Sequence, residues 1–507
     1  MRRPLSFSLV VVLSACAKGG GGETPQANHN LACPVTPKAS MMSAIQAGEP
    51  QDPFAIRGKV LLNEDEAGIQ SERTLNAGTE LVVLTQPNCD LPGALSKQLE
   101  GDQNQRFRSW TLKSPTTLAK VSKLAEKDEC VLGVADGSTA YTTEVDPRAA
   151  QQAHLQRLEI EPALPLVYAA PFEKDVTIAI IDTGITLEHE DLKEALWIND
   201  GEIPGNGLDD DGNGYIDDVN GFNFAANTGS PKHVGTWSGR QHGTHVAGLA
   251  AAVRDNGVGI SGIMGSGAKI MALNVFGENP GASVKNIANA IVYAADNGAD
   301  VINMSLGGRG RSAAYESALA YAIKKGVTVF AAAGNASQKI GPENFASPAS
   351  YSPGLSGMLS VASMDTVNMN LSRFSNYSST EVELATYGSE DSVKRLGLLS
   401  TWIGGSFKLY DRIQGTSMAS PVAAGAGGLA IRMLRARGYS PSPATIEGIL
   451  QVSAQSLPQL LSYVVDGQSL NLRTLAEYID KNYPVVTSSE KPIDPGAPQR
   501  TEKACAN

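Results

Sequence analysis

The stretch Ile180-Ile181-Asp182-Thr183-Gly184 ends an apolar run with an aspartate and a turn. The run begins at Val176, and continuous apolar residues of this length predict a strand that is buried on both faces. An aspartate at the carboxyl end of such a strand lies where ligand sites collect in open α/β sheets. Alone, Asp-Thr-Gly is equally an ordinary strand-end turn, so its meaning depends on the rest of the chain.

Two further motifs supply the groups that a catalytic aspartate needs. They are His242-Gly243-Thr244-His245-Val246-Ala247-Gly248 and Gly415-Thr416-Ser417-Met418-Ala419-Ser420-Pro421. A serine hydroxyl is a poor nucleophile at neutral pH, so it needs an imidazole to take its proton, and the imidazole needs a carboxylate to fix its tautomer. Asp182, His242 and Ser417 supply one of each. A helix-compatible run follows Ser417, which places the serine near a helix N-terminus, where developing negative charge is stabilised.

In their order and context the three motifs resemble those of the subtilisin family of serine proteases. The resemblance covers residues 146–480 and implies that Asp182 orients His242, which acts as general base and general acid for the nucleophile Ser417. It also implies an α/β fold, with a subtilisin-like parallel sheet flanked by helices. The expected reaction is hydrolysis of peptide bonds through an acyl-enzyme, with polypeptides as substrates.

The resemblance extends to two further segments. Asn335, in Ala332-Ala333-Gly334-Asn335, matches the family's second oxyanion donor, which acts together with a backbone N–H. Ser305, Leu306 and Gly307 match the family's strand that pairs with the substrate backbone, where glycine permits close approach. The side-chain preference of the substrate site stays open at this point.

A metal site and a binding protein are the two alternatives to a serine protease. His242 and His245 are spaced i and i+3, which is compatible with a metal pair, but no glutamate lies between them as in zinc proteases. A binding protein could also keep the fold with an N-terminal unit lodged in its cleft. That protein would not need Asp182, His242, Asn335 and Ser417 all together, so a protease is the favoured interpretation.

The fold prediction rests on alternating strands and helices. Helical stretches capped by Ser283 and Ser312 end before Gly298 and Gly326. Strands separated by helices of this length imply a parallel sheet covered on both faces. The apolar runs that predict buried strands are 176–181, 270–275, 301–306, 327–333 and 359–363.

The N-terminal third of the chain predicts export and a separate small unit. Residues 1–15 read as a signal peptide, and Leu13-Ser14-Ala15-Cys16 looks like a lipobox that would lipidate Cys16; an ordinary signal peptide and a secreted protein are the alternative. Residues 16–51 read as a flexible tether to a membrane of the bacterial cell envelope. Residues 52–145 predict an α+β unit with strands near 59–62 and 81–84 and a helix at 118–127.

This unit directly precedes the catalytic region, as the family's pro-segment does. The resemblance implies an intramolecular inhibitor that blocks the active site, although a permanent accessory domain fits the position nearly as well. Residues 481–507 are rich in proline, serine and charge and predict an extended tail.

An acidic stretch between Asp182 and His242 predicts a structural calcium site. Residues 206–218 alternate oxygen-bearing side chains as in the front half of a calcium-binding loop, but Asn220 replaces the usual bidentate glutamate. The alternative is an acidic surface turn, yet five aspartates in so short a loop would repel one another without a cation. The predicted ligands are Asp209, Asp211, Asn213, Tyr215 and Asp217.

The net charge and the cysteines indicate which partners and which disulfides to expect. A net charge of −11 argues against nucleic acid as a partner, because phosphate binding needs a basic surface. Apart from Cys16 the chain has four cysteines, an even number that makes two disulfides plausible in an exported protein. Of the possible pairings we favour Cys89 with Cys130 and Cys33 with Cys505, against the alternative of unpaired thiols.

Overall fold

The chain divides into two compact units, Met1–Thr142 and Thr143–Asn507. For the first unit, the computed structural model describes the backbone of six strands. The described residues of the second unit are 146–169, 174–236, 239–404, 408–486 and 493–498. The expected signal peptide, the tether and all five cysteines lie outside the described residues.

The N-terminal unit contains a four-stranded antiparallel sheet in the order β3-β4-β2-β6 and a separate antiparallel pair, β1 and β5. The apolar run 81–84 lies inside β2, as predicted, whereas the predicted strand near 59–62 and the predicted helix 118–127 fall outside the described residues. The strands are β1 (Thr74–Leu75), β2 (Glu80–Thr85), β3 (Leu99–Glu100), β4 (Phe107–Leu112), β5 (Thr116–Thr117) and β6 (Val131–Asp136).

The second unit is built on a nine-stranded sheet in the order β18-β19-β15-β14-β12-β10-β7-β9-β8. Every neighbouring pair in it is parallel except β18 with β19. Its strands are β7 (Val176–Asp182), β8 (Gly221–Asn223), β9 (Ala268–Asn274), β10 (Val301–Met304), β12 (Thr328–Ala332), β14 (Met358–Asp365), β15 (Leu384–Ser389), β18 (Gln455–Ser456) and β19 (Gln468–Ser469).

Two short antiparallel ribbons lie outside this sheet. One pairs β11 (Gly308–Arg309) with β13 (Ala346–Ser347), and the other pairs β16 (Leu398–Gly404) with β17 (Lys408–Ile413). The helices are α1 (Ala153–Arg157), α2 (Ile160–Val167), α3 (His242–Ala251), α4 (Val284–Asp296), α5 (Ala313–Lys324), α6 (Thr416–Arg435), α7 (Pro443–Ser453) and α8 (Leu472–Asn482).

Both faces of the large sheet are covered, as the sequence predicts. Side chains alternate along β7, so Ile178 and Ile180 join one hydrophobic cluster with helices α3 and α6. Ala179 and Ile181 join a second cluster, with helices α4 and α5. The five predicted strands coincide with β7, β9, β10, β12 and β14, which confirms the predicted fold class.

The predicted helix boundaries are confirmed at α4 and α5. The hydroxyl of Ser283 accepts a hydrogen bond from the backbone N–H of Asn286, and Ser312 caps α5 in the same way. Gly298 and Gly326, just beyond the two helices, have φ of +76° and +98°. These left-handed conformations favour glycine, which explains why the helices stop there.

The N-terminal edge of the second unit is tied down at Asp146. Its buried carboxylate accepts hydrogen bonds from the backbone N–H groups of Asp255 (3.1 Å) and Asn256 (3.0 Å) and from the hydroxyl of Ser261. At the other end, α8 continues to Asn482, past the boundary expected at residue 480. Among the described residues, no helix combines the length and apolar character required to cross a bilayer.

Candidate active site

Asp182 is the last residue of β7 and is only 1% exposed. Its Oδ1 accepts a hydrogen bond from the backbone N–H of Thr183 at 2.7 Å. Nδ1 of His242 lies 2.8 Å from Oδ1 and 3.0 Å from Oδ2. This contact assigns the proton on His242 to Nδ1, so that Nε2 is left to accept a proton from another group.

His242 begins helix α3, and the turn after β7 holds that helix end in place. The hydroxyl of Thr183 donates to the carbonyl of Arg240 (2.9 Å) and accepts from the N–H of Gly243 (2.9 Å). A Cβ on Gly243 would lie 2.4 Å from the carbonyl oxygen of Gly184, so only glycine permits this approach. The motif's first glycine therefore brings the helix against the end of β7.

Opposing effects set the pKa of His242. Burial alone would lower it, but the charge of Asp182 and the hydrogen bond to Asp182 outweigh burial and raise the pKa above its usual value of 6.5. The imidazole is thereby a stronger base than an ordinary buried histidine. A protonated His242 cannot accept a proton from a nucleophile, so a reaction that uses it as base fails at low pH.

Ser417 is the second residue of α6. Its hydroxyl donates to the backbone carbonyl of Ser305 at 3.2 Å, and the hydroxyl of Ser305 donates back to the carbonyl of Ser417 at 2.8 Å. Among the residues that the structure describes, no hydrogen bond joins Ser417 to His242, so the hydroxyl would have to leave the carbonyl of Ser305 before it could donate to the imidazole. Catalytic hydrogen bonds often form only when substrate is bound.

Asn335 is fixed through its carboxamide oxygen, which accepts from the backbone N–H (2.8 Å) and the hydroxyl (2.9 Å) of Thr416. Its NH2 group is therefore oriented away from this anchor as a donor. A Cβ placed on Gly415 would lie 3.5 Å from both Nδ2 of Asn335 and the backbone N of Ser417. The two donors thus flank one small volume beside Gly415, as an oxyanion site requires.

Asn376 supports the Asn335 loop and is not among the site residues predicted from the sequence. Asn376 is 6% exposed; its NH2 group donates to the carbonyl of Ala333 (2.8 Å), and its oxygen accepts from the N–H groups of Ala336 (3.0 Å) and Gln338 (3.1 Å). Gly334 has φ of +102°, and a Cβ there would lie 2.5 Å from Nδ2 of Asn376. No local motif marks Asn376, because its partners are about forty residues away in the chain.

A cavity of about 320 Å³ opens beside Ser417 and Asn335. Part of its wall is formed by the three residues that the resemblance predicts to contact substrate, Ser305, Leu306 and Gly307. Its other lining residues include Gly308, Arg309, Ala332–Ala336, Gln338, Ile340, Asn344, Phe345, Ala346, Ser347, Asn376 and Thr416.

The second histidine of the motif is turned away from the first. Nε2 of His245 lies 3.1 Å from the carbonyl of Leu398 and 3.2 Å from that of Asp411, and the ring is fully buried. Burial, with a smaller contribution from His242, lowers the pKa of His245 to about 3. Within the described part of the chain, the one cluster suited to a metal ion contains no histidine, which gives no support to the metal-pair alternative.

That cluster lies in the predicted calcium loop, with a partly different set of residues. Oxygen atoms of Asp209, Asp211 and the buried Glu202 all lie within 4.8 Å of one another. Glu202 was missed because it precedes the loop motif. The carboxylate of Asp217, a predicted ligand, instead accepts N–H groups from residues 205–207.

The other two predicted ligands also have contacts of their own. The NH2 group of Asn213 donates to Asp211 (3.1 Å) and Asp218 (3.0 Å), and its oxygen accepts from the N–H of Tyr215 (2.8 Å). The ring of Tyr215 packs edge-on against Phe222 and other aromatic side chains. The loop is therefore anchored to the sheet independently of an ion.

Comparison with known proteins relates the sequence of this chain to a protein family. The model described as the subtilase family matches residues 173–473. The chain is 37% identical over 298 residues to the halolysin-like extracellular serine protease Nep of Natrialba magadii, covering 58% of this chain and 47% of that protein. It is 34% identical over 293 residues to thermitase of Thermoactinomyces vulgaris, covering 57% of this chain and 85% of thermitase.

The extent of these matches varies. The chain spans about half the length of the Natrialba protein and of halolysin from Haloferax mediterranei. Among solved structures, the epidermin leader peptide processing serine protease from Staphylococcus aureus aligns with a TM-score of 0.51 and 20% identity, over 80% of this chain and 99% of that one. This structural likeness supports the fold alone.

The pKa of His242 predicts the pH dependence of the reaction. We expect kcat/KM for a peptide to fall as the pH decreases through a value above 6.5, because Asp182 raises the pKa of the base. In Asp182→Asn, kcat should fall by about 10⁴-fold. The loss of activity at low pH, the acid limb of the profile, should also move to lower pH, because burial then lowers the pKa of His242 without opposition from Asp182. Rates between about pH 5 and about pH 9 measure both effects. An acid limb that stays in place in Asp182→Asn would contradict the assignment.

The position of Gly415 predicts a variant that folds but loses activity. In Gly415→Ala the new methyl makes no contact shorter than 3.5 Å, and the backbone there is extended, so thermal stability should be close to that of the wild type. The methyl would occupy the volume between the two donors. We expect kcat/KM to fall by about 100-fold or more, as when an oxyanion donor is removed.

Asn335→Ala removes one of these donors and should give a similar loss. Comparing kcat/KM and melting temperature for both variants checks the prediction. Full activity in a folded Gly415→Ala enzyme would show that the oxyanion lies elsewhere.

Proposed function

Because the chain belongs to the subtilase family, we propose that it is a serine endopeptidase that cleaves polypeptides through an acyl-enzyme on Ser417. The observation that carries the proposal is the hydrogen bond between Asp182 and His242 at the same sheet edge as Ser417 and Asn335. A cavity for a side chain of the substrate opens directly beside the last two residues. The Natrialba relative, which is described as extracellular, favours an exported enzyme.

Each residue has a defined task in the proposed reaction. Ser417 Oγ attacks the peptide carbonyl carbon while Nε2 of His242 takes the hydroxyl proton. The carbonyl oxygen becomes an oxyanion, which accepts hydrogen bonds from the NH2 group of Asn335 and the N–H of Ser417. His242 then gives its proton to the leaving amine, and water repeats the sequence to release the acyl group.

Substrate backbone is proposed to pair with residues 305–307. These residues follow the end of β10 and line the cavity, and Gly307 is exposed. Strand addition of this kind holds an extended peptide by main-chain hydrogen bonds and leaves selection to the pocket for the side chain.

The N-terminal unit is proposed to inhibit the enzyme within the same chain until it is cleaved off. The division between Thr142 and Thr143 supports a cleavage site near 143–146. If Cys16 is lipidated and Cys33 is bonded to Cys505, the cleaved enzyme stays attached to the membrane. A catalytic fragment that is soluble without reductant would exclude this arrangement.

A fluorophosphonate probe tests the catalytic proposal directly. We expect the purified protein to be labelled, because the probe reacts with an activated serine, and Ser417→Ala to remain unlabelled. Gels run with and without reductant show whether a cleaved chain is held together by a disulfide, since the labelled band would then become smaller on reduction. Absence of labelling after removal of the N-terminal unit would favour the binding-protein alternative.

The acidic cluster is proposed as a structural calcium site. Glu202, Asp209 and Asp211 offer hard oxygen ligands, which suit calcium, and three carboxylates so close together repel one another without a cation. Asp209 and Asp211 belong to the set predicted from the sequence, and Glu202 joins them. The cluster lies outside the catalytic groups, so the ion would stabilise the loop.

Calcium should raise the melting temperature of the Ser417→Ala protein, which cannot digest itself, relative to the same protein in EDTA. A ligand present at about 100 times its Kd stabilises the folded state by about 2.7 kcal/mol. In Glu202→Gln and Asp209→Asn this difference should disappear. Asp210→Asn is the matched control, because Asp210 lies outside the cluster. Equal calcium responses in all four proteins would rule the site out.

A further inference from the structure

We propose that Arg309 gives this enzyme a preference for an acidic residue, glutamate in particular, immediately before the cleaved bond. The inference rests on the proposed function and concerns its side-chain pocket. Arg309 is the one charged residue among those that line the cavity. The wall contains no carboxylate, so a basic substrate side chain would meet a positive charge without compensation.

The guanidinium of Arg309 is available for a substrate. Arg309 is exposed, and its guanidinium forms no hydrogen bond or ion pair with any residue that the structure describes; its backbone pairs with β13. The nearby cations differ in this respect, because Arg311 and Lys339 both act on the carboxyl of Glu381. Arg311 also stacks over the ring of Phe345 at 4.2 Å.

The ribbon β11–β13 leaves the Arg309 side chain unobstructed. Arg309 pairs directly with Ala346, and directly paired residues of antiparallel strands share one face. A methyl group is therefore its nearest neighbour across the ribbon. The small side chains of residues 332–336 form another part of the wall, so the pocket has room for a side chain of glutamate size.

Ser347 also lines the cavity, but its side chain lies on the opposite face of the ribbon from Arg309, because Ser347 pairs with Gly308 and successive residues of a strand point to opposite faces. It is 7% exposed, and its hydroxyl has no hydrogen-bond partner within the described part of the chain. The difference between glutamate and glutamine therefore rests on Arg309 and not on Ser347.

Two peptide substrates that differ only in glutamate or glutamine before the cleaved bond isolate this charge. We expect the wild-type enzyme to show a glutamate-to-glutamine ratio of kcat/KM of about 3, a modest value because Arg309 is exposed. Arg309→Gln should bring the ratio to about 1, and Arg309→Lys should retain most of it. Raising the salt concentration should lower the wild-type ratio, since salt screens exposed charges.

Arg473→Gln is the matched control, because it removes the same charge from helix α8, where Arg473 pairs with Glu477. Its ratio should equal that of the wild type. A wild-type ratio at or below 1, or a ratio unchanged in Arg309→Gln, would overturn the inference. If neither peptide nor a leucine analogue is cleaved and Ser417 takes no fluorophosphonate label, the proposed function itself fails, and the inference with it.

Discussion

The buried hydrogen bond between Asp182 and His242 is the constraint on which the rest of the site depends. A carboxylate that is 1% exposed is costly unless it is paired and hydrogen-bonded. Asp182 meets this requirement with the N–H of Thr183 and the ring of His242. The turn after β7 and the start of α3 must therefore lie together, and the hydroxyl of Thr183 and the absent side chain of Gly243 make that contact possible.

Small side chains also allow close packing around Ser417, the proposed nucleophile. Helix α6 runs through the core, where a Cβ on Gly427 would lie 2.6 Å from the ring of Phe330 on β12, and one on Gly425 would lie 2.7 Å from Ile263. At the start of the helix, Ser417 and Ser305 exchange hydrogen bonds. The same helix thus fixes Ser417 against both the end of β10 and the Asn335 loop, and the distances between the reacting groups follow from core packing.

The sequence predicted what depends on local patterns. Apolar runs marked the central strands because a parallel sheet buries both faces, and serine caps with following glycines marked helix ends because those positions have fixed backbone needs. The Asp182–His242 contact was also predictable as the first step of the proposed triad, since Asp182, His242 and Ser417 each lie in a short motif of their own. The roles of Asn376 and Glu202 could not be predicted. Asn376 contacts residues about forty positions away in the chain, and Glu202 lies before the loop motif, so only the folded loops bring each of them to its partners.

The predicted calcium loop shows why residue type alone does not assign a ligand. Asp217 has the spacing of a ligand, yet its two oxygens accept three backbone N–H groups from residues 205–207. Asp209 and Asp211 also accept backbone N–H groups, from residues 213 and 214, so Asp217 differs from them in lying outside the cluster of close carboxylates. Glu202 precedes the loop motif and also accepts N–H groups, but it is buried and its carboxylate lies close to those of Asp209 and Asp211.

The charged residue of the substrate pocket lies on a different element from the proposed catalytic groups. The proposed triad and Asn335 lie at the ends of strands of the main sheet or at the start of the helices that pack on it. Arg309, in contrast, belongs to the short ribbon β11–β13, which forms another part of the cavity wall. Changing a residue of this ribbon leaves the Asp182–His242 contact and the packing of α6 in place. The pocket can therefore acquire a charge without disturbing the reacting groups, and its preference could not be read from the motifs that identify the family. The residues that decide preference come from separate segments, at 305–309, 332–340 and 344–347, which meet only around the cavity.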